Sequence, residues 1–160
     1  MSEAISGLNA RVIYKTHSDD GVWTGSYNKT MKAISISSPY GDINEIDTST
    51  LEDFIETHVP GRRTSSGLDI QGSYRKEDFA RLGALEDSVL DFILLLGNDG
   101  KGDAGKIAFT GKISTKIDDV SDDHVTMTSH ITVSTVPAII TDTVTVTPDT
   151  AEEVFTVAAV

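Results

Sequence analysis

The chain contains no cysteine, which excludes disulfides, thiolate metal sites and a cysteine nucleophile. Aromatic residues make up 6% of it, with a single Trp, too few for the clustered exposed rings of a carbohydrate-stacking surface. The longest apolar run, Phe92-Ile93-Leu94-Leu95-Leu96, is far too short for a bilayer-spanning helix. The opening Met-Ser-Glu-Ala-Ile-Ser-Gly lacks the basic and apolar regions of a secretory signal, so a soluble cytosolic protein without a membrane partner is expected. Basic residues are scarce, with 13 Lys and Arg against 25 Asp and Glu and a net charge of −12. None follows Lys116, whereas Asp118, Asp119, Asp122, Asp123, Asp142, Asp149, Glu152 and Glu153 do. Such a surface repels nucleic-acid phosphates. For most of these acids the plain reading is a solvated face that keeps the protein soluble; the sharper one is a face that must repel a polyanion.

What remains is enough for one globular domain over residues 1–160, with 38% hydrophobic residues. Apolar and polar residues alternate in Ala10–Thr16, Ala33–Ser37, Leu68–Tyr74, Lys106–Ile117 and Val125–Val136, the period of half-buried strands. Further strands are expected within 23–37 and at Ile43–Asp47. The run Val89–Leu96 reads as a strand covered on both faces. Phe79, Leu82, Leu85 and Val89 recur at helical spacing, predicting a helix from Lys76 to about Glu86 with Glu77 and Asp78 favouring its positive end. Turns are expected at 17–21, 38–42 and 97–105, with an acidic turn at Asp118–His124. From about 137 a Thr/Val strand and a tail extend the chain. The expected fold is mainly β, an antiparallel β-sandwich or half-barrel with one flanking α-helix.

Motifs for chemistry fail their context tests. Gly100-Lys101-Gly102-Asp103-Ala104-Gly105-Lys106 matches the start of a phosphate-binding loop, but Ile107 stands where Ser or Thr should hold magnesium and the next stretch alternates like a strand. The acidic pairs Asp118-Asp119 and Asp122-Asp123, and Asn98-Asp99 with Asp103, offer oxygen ligands but do not follow the calcium-loop pattern. His17, His58, His124 and His130 lack a metal-ligand spacing, and no GxSxG elbow is present. A non-enzyme without cofactor or metal is expected.

One stretch calls for explanation: His58-Val59-Pro60-Gly61-Arg62-Arg63-Thr64-Ser65-Ser66-Gly67, read as a long, locally basic loop entering the strand at Leu68. Long loops in compact domains are usually functional. Three segments taken in order resemble the tail tube (major tail) protein of long-tailed, non-contractile bacteriophages. They are Glu45–Leu51; Phe54-Ile55 and Pro60-Gly61 leading to Gly67–Tyr74; and Ile107–Ile113 followed by an acidic turn and a Thr-rich strand. Ser73 departs from the usual Asn, and Arg-Arg-Thr-Ser-Ser from the commoner Lys/Asp-rich loop.

The resemblance implies a β-sandwich subunit that self-associates into hexameric rings. Those rings stack into a helical tube through which DNA passes without specific binding. It implies tape measure, tail tip and tail terminator proteins as partners. It places the protein in the virion tail, and in the host cytoplasm during assembly. Under that reading His58–Gly67 is an inter-ring contact loop, and Glu45, Asp47, Asp69 and Gln71 are candidates for the lumen. The inner tube of a contractile tail or injection device, and a small acidic β-sandwich that binds a protein partner, are the alternatives.

Overall fold

The computed structural model describes residues 10–18, 23–40, 43–52, 54–63, 67–97, 100–151 and 153–160, apart from the side chain of Arg63. The turn expected at Asp19-Asp20-Gly21 lies outside these residues, as do the opening heptapeptide, Gly41-Asp42, Thr64-Ser65-Ser66, Asn98-Asp99 and Glu152. The strands are β1 (Arg11–Thr16), β2 (Gly25–Lys29), β3 (Ser35–Ile36), β4 (Ile43–Asp47), β5 (His58–Arg63), β6 (Leu68–Ser73), β7 (Leu90–Leu96), β8 (Gly105–Val120), β9 (Val125–Val133), β10 (Ala138–Ile139), β11 (Val144–Pro148) and β12 (Val154–Ala159). The helix α1 spans Lys76–Gly83.

Among the described residues ten strands form one antiparallel sheet in the order β11-β12-β2-β1-β7-β8-β9-β6-β3, with β10 pairing to β8 beside Ile107 and Ala108. This sheet curls into a half-barrel flanked by α1. β4 and β5 make a separate two-stranded sheet. No helix among the described residues is long and apolar enough to cross a membrane.

Strand alternation explains the two hydrophobic cores. Val12, Tyr14, Phe92 and Leu94 enter one core; Ile13, Ile93 and Leu95, which alternate with them, enter the other. β1 and β7 are therefore buried on both faces, as the apolar run of β7 predicts. The first core gathers Leu68, Ile70, Phe109, Ile113, Met127 and Ile131 under Leu82 of α1. The second is closed by Tyr27, Phe155, Val157, Val144 and Val146. Asp91 interrupts the apolar run yet is buried; it accepts the Thr110 hydroxyl at 2.8 Å and lies 2.7 Å from His17 Nδ1. The buried carboxylate is thus hydrogen-bonded, as burial demands.

α1 places Glu77 and Asp78 in its first turn and Arg81 in its last, matching the dipole at both ends. The segment after β2 crosses β6 at Gly72, where a Cβ would collide with the Lys32 carbonyl and meet Met31 Cε at 2.8 Å. Only glycine permits that crossing.

Four expectations need correction. His58–Arg63 is a strand, not a loop, because its backbone pairs with β4. β8 continues through Asp118 and Asp119 to Val120, leaving Ser121–His124 as the turn; an irregularity after Ile117 accommodates the acids, and Val120 pairs with Val125. The helix stops at Gly83, before Glu86. The C-terminal tail is a sheet strand, since β12 lies between β11 and β2 and pairs with both.

Candidate assembly surfaces

The β4–β5 hairpin is built from Ile43↔Arg63, Glu45↔Pro60, Ile46↔Val59 and Asp47↔His58, with a bulge between Ile43 and Glu45. Proline cannot donate to a ladder, and Pro60 is tolerated here because the strand has one partner within its sheet. Beyond β4 the excursion is closed by local hydrogen bonds. Ser49 N–H donates to Asp47 Oδ1 at 2.8 Å, Thr48 N–H to the Thr57 carbonyl at 2.8 Å, and Thr57 N–H to Ser49 Oγ at 2.7 Å. The Ser49 hydrogen bonds hold the Asp47 carboxyl below its usual range.

The hairpin is polar in its hydrogen bonding but apolar in what it exposes. Leu51, Phe54 and Ile55, between the two strands, are 107%, 104% and 79% exposed. Ile43, Ile46 and Val59 are exposed as well. Burying one such side chain is worth about 1.5–3 kcal/mol, so leaving a group of them in water forgoes several. A lone two-stranded hairpin is also marginal in water. Concentrated apolar exposure of this kind marks an interaction surface.

Of the expected contact residues, His58, Pro60, Gly61, Arg62 and Arg63 lie on β5, Gly67 immediately precedes β6, and Thr64, Ser65 and Ser66 lie outside the described residues. Arg62 is exposed. Sequence reasoning missed Leu51, Phe54 and Ile55 as surface groups. Their signal was Phe54 and Ile55 three and four residues after Leu51, in an otherwise polar stretch with no strand alternation.

Asp69 and Gln71 lie exposed on the polar face of β6, whose other face enters the first core. Cross-strand pairing carries that polar face onto β9 through Asp69↔His130 and Gln71↔Thr128, and onto β8 through Ser114↔His130 and Lys116↔Thr128. Together with Ser35 and Ser37 these side chains line an open concavity of about 750 Å³. Asp69 Oδ1 lies 2.7 Å from His130 Nδ1, and the Thr128 hydroxyl donates to Asp118. The face is rich in hydroxyls and of mixed charge, with Lys116 beside two carboxylates. Glu45 and Asp47 are not part of it, since β4 belongs to the other sheet.

Gly100 and Gly102 have φ of +72° and +78°, a left-handed backbone that favours glycine. That conformation turns β7 into β8. The chain continues from Ala104 directly into β8, so no helix N-terminus faces a phosphate there. Among the described residues, no three His, Asp or Glu side chains converge on a metal-sized site.

No protein-family model matches the chain, and no curated protein matches it by sequence. Among solved structures it is similar to a chain of the anti-feeding prophage (AFP) baseplate, determined by cryo-EM with 6-fold symmetrisation. That likeness has a TM-score of 0.48 and 9% identity over 87% of this chain and 97% of that one. It is also similar to a type six secretion system protein, with a TM-score of 0.41 and 12% identity over 93% and 91% of the two chains.

Proposed function

We propose that this chain is a non-enzymatic structural subunit that forms hexameric rings, stacked into the tail tube that conducts viral DNA. The observation that carries the reading is the β4–β5 hairpin, a two-stranded sheet whose apolar side chains face water. A contact with neighbouring subunits would bury them.

Two further features support it. Among the described residues the large sheet ends in β11 on one side and β3 on the other, and β11 exposes Thr145 and Thr147. Open edges are a liability for a solitary domain, whereas closure into a ring satisfies them together. The hydroxyl-rich face around Asp69 and Gln71 suits a conduit wall, because phosphate contacts from a cationic wall would retard DNA. Arg62 and Arg63 on β5 serve the contact between rings, where repetition strengthens a weak interaction.

Sedimentation velocity over a concentration series, with and without seeding by a tail-tip complex, tests the proposal. A compact monomer when dilute and large polymers when concentrated or seeded are expected. A monomer under every condition would overturn it.

A further inference from the structure

A cationic pocket of about 260 Å³ lies between α1 and the segment that follows β2. Among the described residues Lys32, Arg75 and Arg81 line it with Lys29, Asp78 and Glu153. In a chain with 13 Lys and Arg and a net charge of −12, basic side chains gathered in one place stand out. Asp78 is already engaged, 3.1 Å from Arg81 Nη2 and 3.9 Å from Arg75 Nε. Arg81 Nη2 also donates to the Thr30 carbonyl at 2.6 Å, while Arg81 Nε is buried without a hydrogen-bond partner. Clustered cations and a buried orphan donor favour an anionic occupant.

The same segment continues into an apolar groove of about 510 Å³. Ala33, Ile34, Pro39 and Tyr40 line it with Leu94 and Leu96 from β7, and Ser35, Ser37 and Ser38 add hydroxyls to its wall. Ile34 on its wall is 66% exposed. Residues 29–40 therefore present cations and then an apolar trough in succession.

The hairpin carries the complement. Leu51-Glu52-Asp53-Phe54-Ile55-Glu56 has three apolar residues, three acids and no cation. Its apolar side chains are nearly or fully exposed. We infer that the 51–56 segment of one copy docks on residues 29–40 of a second copy. Leu51, Phe54 and Ile55 enter the groove, and the carboxylates of Glu52 and Glu56 meet Lys32 and Arg75. The choice of a second copy as partner rests on the tube reading; the surface itself rests on charge and apolar complementarity.

The absence of cysteine makes the test direct. Lys32→Cys and Glu52→Cys, made singly in the full chain and mixed with a short bis-maleimide, should yield a covalent dimer. The yield should be several-fold above that of Asp123→Cys mixed with Glu52→Cys. Adding Arg75→Glu to the Lys32→Cys variant, or raising the salt, should bring it to the control level. A yield equal to the control overturns the docking. So does cross-linking confined to the Lys32→Cys/Glu52→Cys double variant, which would place the segment on its own chain. Electron microscopy judges the tube separately: tubes without this cross-link remove only the docking, and the cross-link without tubes removes only the tube.

Discussion

Ile46 and Val59 are direct partners across the β4–β5 hairpin, and both stay in water, 53% and 44% exposed. Phe92 and Phe109 are direct partners of the same kind across β7 and β8, yet both are fully buried, with rings stacked 5.5 Å apart. The two pairs should therefore answer different experiments. Phe109→Ala is expected to cost about 3–5 kcal/mol of folding stability, through lost burial and the cavity left behind. Ile46→Thr with Val59→Thr should change monomer stability by less than about 1 kcal/mol and weaken self-association instead. Urea unfolding of dilute protein, beside sedimentation of concentrated protein, separates the effects.

Arg62→Glu with Arg63→Glu should leave the subunit folded and block stacking. Circular dichroism and the melting temperature are expected to stay near wild type, since Arg62 is exposed and a surface charge contributes about 1 kcal/mol at most. Light scattering during elongation should collapse, and high salt should weaken the wild type in the same direction. Normal elongation by the double variant would remove these arginines from the mechanism.

The polar face around Asp69 and Gln71 predicts no retention of DNA. Wild-type protein should leave duplex DNA unretarded in a gel at physiological salt. Asp69→Lys with Gln71→Lys turns the face cationic and should produce a salt-sensitive shift. Retardation by the wild type would contradict a conduit wall on this face.

Tyr14 supplies an alkaline signature. Burial raises its pKa above the ordinary 10.0, with Arg81 opposing the shift and Asp78 adding to it. The folded state thus holds this proton more tightly than the unfolded state. The associated stability is fully present below about pH 10 and is lost as pH rises from there through the folded pKa. Tyr14→Phe should make the alkaline decline shallower, as read from urea unfolding at stepped pH. An unchanged slope would dismiss the group as its source.

Much of this fold is legible where one physical signal dominates. Val12, Tyr14, Ile70, Ile113 and Ile131 announce their faces by alternation, and the run from Phe92 to Leu96 announces a strand buried on both sides. β5 was hidden because Pro60-Gly61 has the chemistry of a turn; only pairing with β4 makes it a strand. The outer end of β8 was hidden because Asp118 and Asp119 resemble a solvated loop, and strands tolerate such residues where one side faces water. β12 was hidden because nothing in Val154–Ala159 tells which strands will receive it, and β2, one of its partners, lies far away in sequence. Asp69 and Gln71 could be placed on a polar face from alternation. Glu45 and Asp47 could not be separated from them, because sheet membership is a tertiary property. Leu51, Phe54 and Ile55 were visible as apolar residues, but exposure cannot be read from residue type.

The central claim is that the exposed hairpin drives assembly into a tube. Electron microscopy of concentrated wild-type protein, beside a Leu51→Ser/Phe54→Ser variant, tests it most directly. Stacked rings or hollow tubes from the wild type are expected, with only dispersed subunits from a variant whose circular dichroism is unchanged. Dispersed wild-type subunits, or variant tubes as abundant as the wild type's, would contradict the account.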